Sequence, residues 1–306
     1  NEHFGVFPPE TKNYLNKFKQ KYSSEEIIGM LRSLEDLNVL VVGDAIVDEY
    51  HYVESLGQSA KGDNLSYKFN SKEQFAGGSL AIANHIAGFV KEVTLVTGLG
   101  KEESHEEFIR SKLEKNVLPE FFYFKDAPTI VKRRYVNMML SKLFEVYFYN
   151  DKFHSEHIDK DICVWLEKNT EKFDVVVVPD FGNGFIFEGM IQKICKHARF
   201  LAVNTQVNSG NRGYHTINRY PRADFVSLNT PEVRIATHDR YGSVENLAKR
   251  IIGQLGAKYL AVTLGANGAI LLNKSPEKIY KTPALSTKVL DRIGAGDSFL
   301  SLAGLC

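Results

Sequence analysis

Seven short apolar runs, most of them closed by turn residues, set the strongest limit on what this chain can fold into. They are VLVVG (39–43), VTLVTG (93–98), VVVVPD (175–180), FLAVN (200–204), FVSLN (225–229), YLAVTLG (259–265) and AILLN (269–273). Most are nearly continuous in apolar residues. A strand with one wet face alternates polar and apolar residues, so a continuous run implies burial on both faces. Helical spacing fills many of the gaps, over residues 80–89, 102–115, 158–171, 187–197 and 244–255. Strand–helix alternation of this kind implies right-handed βαβ units, and therefore an α/β fold with a mainly parallel sheet flanked by helices.

Two stretches break that rhythm. Residues 49–75 and 121–149 carry polar–apolar alternation, as in LSYKF, TIVKRRYV and KLFEVYFY. They read as half-exposed antiparallel strands, a small β-lid inserted in the α/β body. Ordinary hairpins with no gating role are the other reading. Residues 1–37 read as an N-terminal extension or linker, in which Pro8-Pro9 breaks structure and residues 14–34 have mixed helical periodicity rich in Lys and Glu. The body then runs over 38–306. With no initiator Met, the chain is expected to be a piece of a longer one.

Composition removes several classes of function. At 43% hydrophobic and 25% charged residues the 306-residue chain is ordinary globular material, and its formal charge of +1 argues against a dominant nucleic-acid or anionic-membrane surface. The three cysteines form no C-x-x-C pair, which suggests neither a disulfide framework nor zinc and fits a reducing cytoplasm. No apolar run reaches the roughly 18–20 residues that span a bilayer. G-x-x-x-x-G-K-[ST], H-E-x-x-H, G-x-S-x-G and the protein-kinase set are all absent.

In open α/β sheets ligands bind beyond the carboxyl ends of the strands. The residues there are polar or glycine-rich: Asp44 and Asp48, then 98–100, 180–184, 204–206, 229–232 and 265–268. The sharpest signal lies near the end, in DRIGAGDSFLSLA (291–303). Its Gly-Ala-Gly turn opens an apolar helix, whose free amides and dipole make a hole for an anion. Asp297 falls in the first turn, where the dipole is expected to lower its pKa and leave a weak base. A weak base can serve phosphoryl transfer through a loose transition state. By spacing alone, a plain glycine-rich helix start explains the run equally well.

At this point a resemblance enters. DRIGAGDSF resembles the D-T-x-G-A-G-D signature of the ribokinase-like (PfkB) carbohydrate kinases. VVGDAIVDEY followed by FAGGSLAIANHIA resembles that family's first strand and its Gly-Gly element, LNTPEVRIA its Asn-x-x-Glu motif, and VTLGANGAIL its nucleotide-flanking turn. The matches occur in family order from Val39 onward. APTIVKRRYV further resembles the heptose-phosphate kinases within the family.

The resemblance implies a kinase using ATP and Mg²⁺ to phosphorylate a sugar hydroxyl, with a sugar phosphate such as a heptose phosphate as acceptor. Asp297 would be the base, and Gly294, Ala295 and Gly296 would hold the transferring phosphoryl oxygens. Asp48, Gly77, Gly78, Lys132 and Arg134 would bind the acceptor. Asn229 and Glu232 would organise phosphates and Mg²⁺ through its waters, without direct metal ligation, and Gly265 and Gly268 would line the nucleotide side. The residues alone leave alternatives open. Asp48 could cap a loop, Gly77 and Gly78 could make a tight turn, and Gly265 and Gly268 a hairpin-like one. Thr230 as N-cap with Pro231 and Glu232 could be an ordinary helix start, and Lys132 and Arg134 a solvated strand face.

Departures from the family pattern accompany the match. Arg292 and Ile293 replace small or hydroxyl residues, Ala81 stands where an Asn is usual with Asn84 one turn later, and Asn183 and Gln206 stand where the heptose-phosphate kinases tend to carry Lys. The chain stops nine residues after Asp297, where the family usually continues. The departures at Arg292, Ile293 and Ala81 support a rival expectation, a catalytically impaired ligand-binding pseudokinase or scaffold. The heptose-type resemblance also implies fusion to a nucleotidyltransferase domain, and the lid a homodimer.

Overall fold

The computed structural model describes residues 7–150, 156–286 and 294–306. Among them the strands form two sheets, one of nine strands and one of four. The first strand, β1 (Asn38–Val42), lies within the large sheet. Two fourteen-residue strands, β2 (Ala45–Gln58) and β3 (Leu65–Gly78), then leave that sheet and return to it. Into the large sheet fall β4 (Glu92–Gly100), β5 (Val117–Phe124), β8 (Val175–Asp180), β9 (Leu201–Thr205), β10 (Phe225–Asn229), β11 (Tyr259–Thr263), β12 (Ala269–Lys274) and β13 (Glu277–Thr282), with β6 (Ile130–Val136) and β7 (Lys142–Phe148) completing the small one. The large sheet runs β13-β12-β11-β10-β9-β8-β1-β4-β5, parallel from β11 to β5 and antiparallel at β12 and β13.

Both faces of the large sheet are covered, as the continuous apolar runs require. Leu40, Val42, Val176 and Val178 point to one core, while Val39, Val41, Val175 and Val177 point to the other. The first core takes α5 (Glu156–Asn169), α6 (Glu188–His197), α7 (Thr230–Thr237) and α8 (Val244–Leu255) through residues such as Leu166, Met190, Val233 and Ile251. The second takes α3 (Ser79–Ala87), α4 (Glu106–Lys112) and α9 (Ala295–Ala303) through Leu80, Ile86, Ile109 and Leu300. Cores of this kind need no metal or disulfide.

The expected lid segments need correcting. Residues 117–124 form β5, which pairs parallel with β4 at the edge of the large sheet, so the second segment of the small sheet starts at Ile130. The small sheet, β3-β2-β6-β7, is also not wholly antiparallel, because β2 pairs with β6 in parallel. The register there sets Asp48 beside Lys132 and Tyr50 beside Arg134.

The N-terminal residues form α1 (Pro9–Lys21), α2 (Ser24–Arg32) and a short 3₁₀ turn. Pro9 starts α1 rather than interrupting structure, since proline lacks only the amide that a first helical turn leaves free anyway. A capping box made by Ser23 and Glu26 separates the two helices.

The small sheet is joined to the body through a close backbone approach. Gly78 has φ +61°, and a Cβ there would lie 2.6 Å from the carbonyl oxygen of Asp44. That oxygen also accepts hydrogen bonds from the amide and hydroxyl of Ser79, at 3.0 and 2.9 Å. Gly78→Ala is therefore expected to cost about 1–3 kcal/mol of folding stability, measured by urea unfolding, whereas Gly29→Ala, whose Cβ meets nothing within 4 Å, should cost nothing and could stabilise α2.

Candidate active site

The carboxyl ends of β1, β8, β9 and β10, the start of α9 and the inner face of the small sheet converge on one set of acids and bases. Asp297 sits in the first turn of α9, half-buried. Asp48 acts on it electrostatically, and so does Lys132. The helix tip is not turned away from the cleft. Gly294 begins α9 in the left-handed region, φ +75°, while Ala295 and Gly296 are exposed. Among the described residues, a Cβ at Gly294 or Gly296 would meet nothing within 4 Å. Asp291, Arg292 and Ile293 lie outside the described residues.

One expectation fails here. The Asp297 carboxyl is not lowered by the helix dipole but pushed up to about 6. Burial is the main cause and the Asp48 carboxylate adds to it, with Lys132 opposing. Desolvation near a like charge outweighs the half-charge of a helix end.

The two small-sheet cations differ. Arg134, 8% exposed, hydrogen-bonds Asp48 Oδ1 and lies 3.5 Å from Glu145 Oε1. Lys132, 6% exposed, forms no ion pair within 4 Å among the described residues. Its Nζ instead lies 5.4 Å from the ring centroid of Tyr147 and 5.9 Å from that of Phe181. Burial lowers its pKa, against the charges of Asp44 and Asp48. Neither cation belongs to a solvated face, so that alternative is excluded. Strand alternation explains the split between faces, because Arg133, between them, points the other way to Glu49, 2.6 Å distant.

Gly77 lies across from Ile46, and a Cβ on it would overlap Asp48 Oδ2, so glycine there keeps room for the carboxylate. Asn229 and Glu232 realise the helix-start alternative, with one change: Asn229, not Thr230, is the N-cap of α7. Asn229 Oδ1 accepts from the Glu232 amide at 2.9 Å and Glu232 Oε2 from the Asn229 amide at 2.8 Å. Glu232 is nevertheless buried at the site, its pKa raised to about 7 by burial, with Asp297 contributing and the Asn229 and Val207 amides opposing. Gly265 (φ +61°) opens a 3₁₀ turn and Gly268 (φ +85°) closes it. A Cβ on Gly268 would overlap Thr282 O, so the turn is pressed against the end of β13.

Asp44 belongs to this site although no role was expected of it beyond its position after β1. It is fully buried, accepts from the Phe185 amide at 3.2 Å and leaves Oδ2 without a partner. Burial and Asp180 raise it to about 6, with Lys132 opposing. Asn183 is buried too, with Nδ2 unpartnered. Asn84, the alternative to Ala81, takes no part, because its side chain holds Lys112 O and the Glu114 amide at 2.8 and 2.9 Å. At the end of α7, His238 is the C-cap in the left-handed region, and Asp239 accepts from the Tyr241 and Gly242 amides.

With this geometry in hand, the comparisons are specific. The pfkB family carbohydrate kinase model matches residues 36–304. The chain belongs to that family. Members of that family are phosphotransferases with a hydroxyl acceptor. Among curated relatives, the bifunctional protein HldE of Pelobacter propionicus is 21% identical over 282 residues, covering 91% of this chain and 56% of the relative. HldE of Haemophilus influenzae strain PittEE is 25% identical over 271 residues, covering 86% and 54%. The chain thus spans about half the length of the curated relatives it matches. Phosphofructokinase-2 from Escherichia coli in complex with fructose-6-phosphate shares the fold, with TM-score 0.65 at 17% identity over 88% of this chain and 86% of that one. No helix of the described residues is long and apolar enough to cross a membrane.

The raised acids fix the sign of a pH effect. Between about pH 4 and 6 the folded chain keeps protons on Asp44 and Asp297 that the unfolded chain has released, so stability falls as pH rises through that window. Asp297→Asn removes one such penalty. It should raise Tm at pH 8 and leave Tm nearly unchanged at pH 4, as read by thermal unfolding at both values.

Proposed function

We propose that the chain is an ATP-dependent sugar kinase whose acceptor is a sugar phosphate of the heptose-phosphate kind. The observation that carries this reading is the convergence of Asp297 with Asp48 and with a buried lysine that, among the described residues, has no carboxylate within ion-pair distance. Asp48 offers two oxygens to sugar hydroxyls, and Arg134 holds it in place. Lys132 is the cation free to meet an anionic group on the acceptor, since Arg134 is committed to Asp48 and Glu145. Asp297, near pKa 6, is ionised at neutral pH and takes the proton of the attacking hydroxyl. The amides of Gly294, Ala295 and Gly296 stabilise charge on the transferring phosphoryl group. The turn at Gly265 and Gly268 belongs to the nucleotide side.

Magnesium suits this donor set only through water. Both Glu232 oxygens already accept backbone amides, and no group of three ligating side chains stands together among the described residues. Mg²⁺ keeps several waters and binds mainly to substrate phosphates, so Asn229 and Glu232 would hold its hydration shell. The ion would neutralise phosphate charge during transfer.

The outer face of the small sheet supports the further reading of a homodimer. Phe69 and Phe144 are exposed there beside His51 and Tyr135, and Tyr135 and Phe144 stack with centroids 4.4 Å apart. Free Cys163, Cys195 and Cys306 suit a reducing cytoplasm. The similarity to bifunctional relatives supports an association with a nucleotidyltransferase domain.

Turnover of ATP over a panel of sugars and their phosphates tests the enzyme reading. Asp297→Asn should lower kcat by about 100-fold or more, and wild-type kcat/KM should fall below about pH 6. Lys132→Met should raise KM for a sugar phosphate by about tenfold while sparing the unphosphorylated sugar. Binding of both ligands with no turnover would favour the pseudokinase instead. Phe144→Asp should convert a dimer to a monomer on light scattering, and a wild-type monomer would overturn that part alone.

A further inference from the structure

The N-terminal helix α1 is more than an extension. Its aromatic stripe, Tyr14, Phe18 and Tyr22, recurs every fourth residue, with ring centroids 6.1 and 5.0 Å apart along the helix. One end of the helix meets the chain just beyond β13, where the Thr11 hydroxyl donates to Ala284 O at 3.0 Å. Further along, Tyr14 Oη stands 3.5 Å from Thr282 Oγ1. The helix therefore runs along the outer edge strand of the large sheet, antiparallel to it. Thr11 is 1% exposed and is the one buried residue of α1.

The stretch that Thr11 grips is the same stretch that fills the space before Gly268. A Cβ at Gly268 would overlap Thr282 O and would lie 2.7 Å from Pro283 C and 2.8 Å from Ala284 N. Backbone packed this tightly transmits displacement, because neither side has a flexible side chain that could give way. Residues 282–284 are thus held between α1 on one side and the Gly265–Gly268 turn on the other. Farther along the chain lies the Gly294–Asp297 tip.

We infer that α1 is a brace for the nucleotide side of the site, with Thr11 as the positioning residue that sets residues 282–284 against the Gly268 turn. This rests on the kinase reading, because it takes that turn as part of the nucleotide site. Thr11 touches neither substrate. It acts on the nucleotide side through Ala284 and Gly268, whereas the acceptor face is built from Asp48 and Lys132 on the small sheet.

The test separates bracing from general stability. In the whole 306-residue chain, Thr11→Val removes the hydroxyl but keeps the shape. It should weaken ATP binding about three- to tenfold, the loss of one ordinary hydrogen bond, with KM for the acceptor unchanged. Thr11→Lys cannot be buried without expelling the helix and should weaken ATP binding by more than the valine variant. Thr11→Ser should restore wild-type affinity. ATP affinity is read by calorimetry without acceptor, and KM for each substrate by initial rates. Thr11→Val and Thr11→Lys both binding ATP within twofold of wild type, or both substrates losing affinity in parallel with a drop in Tm, would overturn the brace while leaving the kinase reading intact. A wild-type chain that binds no ATP would overturn both.

Discussion

The site depends on balancing buried negative charge. Asp44, Asp48, Glu232 and Asp297 gather at the carboxyl edge of the large sheet, Asp44 and Glu232 buried and Asp48 and Asp297 partly so. Carboxylates moved out of water need partners or protons. Strand β6 supplies the partners. Its Lys-Arg-Arg run sends Lys132 and Arg134 inward and Arg133 outward to Glu49, because successive strand residues face opposite ways. Asp48, Lys132 and Arg134 all ride on the small sheet, while Asp44, Glu232 and Asp297 belong to the body. The two sheets are therefore coupled by charge as well as by chain, and any shift of the small sheet changes how strongly Lys132 steadies the body's acids.

That coupling is only as exact as the backbone beneath it. Gly77 and Gly78 admit Asp48 Oδ2 on one side and the Asp44 carbonyl on the other, where a methyl group would not fit. Ser79 then ties the start of α3 to the same carbonyl. The junction of β3 with α3 is in this way fixed by main-chain contacts, which do not adjust as flexible side chains would.

Much of this was legible in the sequence because its cause is local. Continuous apolar runs such as VVVVPD dictate strands buried on both faces, and residues 244–255 form a helix with the bounds its periodicity gives. Other features depended on packing. Strand β5 alternates like a half-exposed strand because it lies at the edge of the large sheet, so its pattern alone could not separate it from the small sheet. Lys132 and Arg134 share a face by parity, but only the tertiary fold decides that this face is buried. The Asp297 shift has the opposite sign from the helix-dipole expectation for the same reason: the dipole is readable from a position in a helix, whereas desolvation and the nearness of Asp48 are not. Asn229 as the N-cap, by contrast, follows the N-x-x-E pattern of a capping box, a signal present in the sequence and outweighed there by the preference of Pro231 for a first helical position.

The raised acids also bear on what such a site is for. A surface carboxylate gains nothing from being pushed toward neutrality, and a structural one is usually paired until it is a firm anion. Asp36 with Lys91 and Glu106 with Arg110 and Tyr123 are lowered in that way. Asp44 and Asp297 near 6 and Glu232 near 7 go the other way, and in each case burial is the leading cause. Keeping them ionised at neutral pH strains the fold, and selection for stability alone would replace them with amides. Clusters that strain the fold in this manner tend to mark chemistry, because a base poised near the working pH transfers protons best. In this chain the strained acids and the open glycine tip of α9 fall at one place, which is the physical reason to read the convergence as an active site rather than as an over-charged helix start.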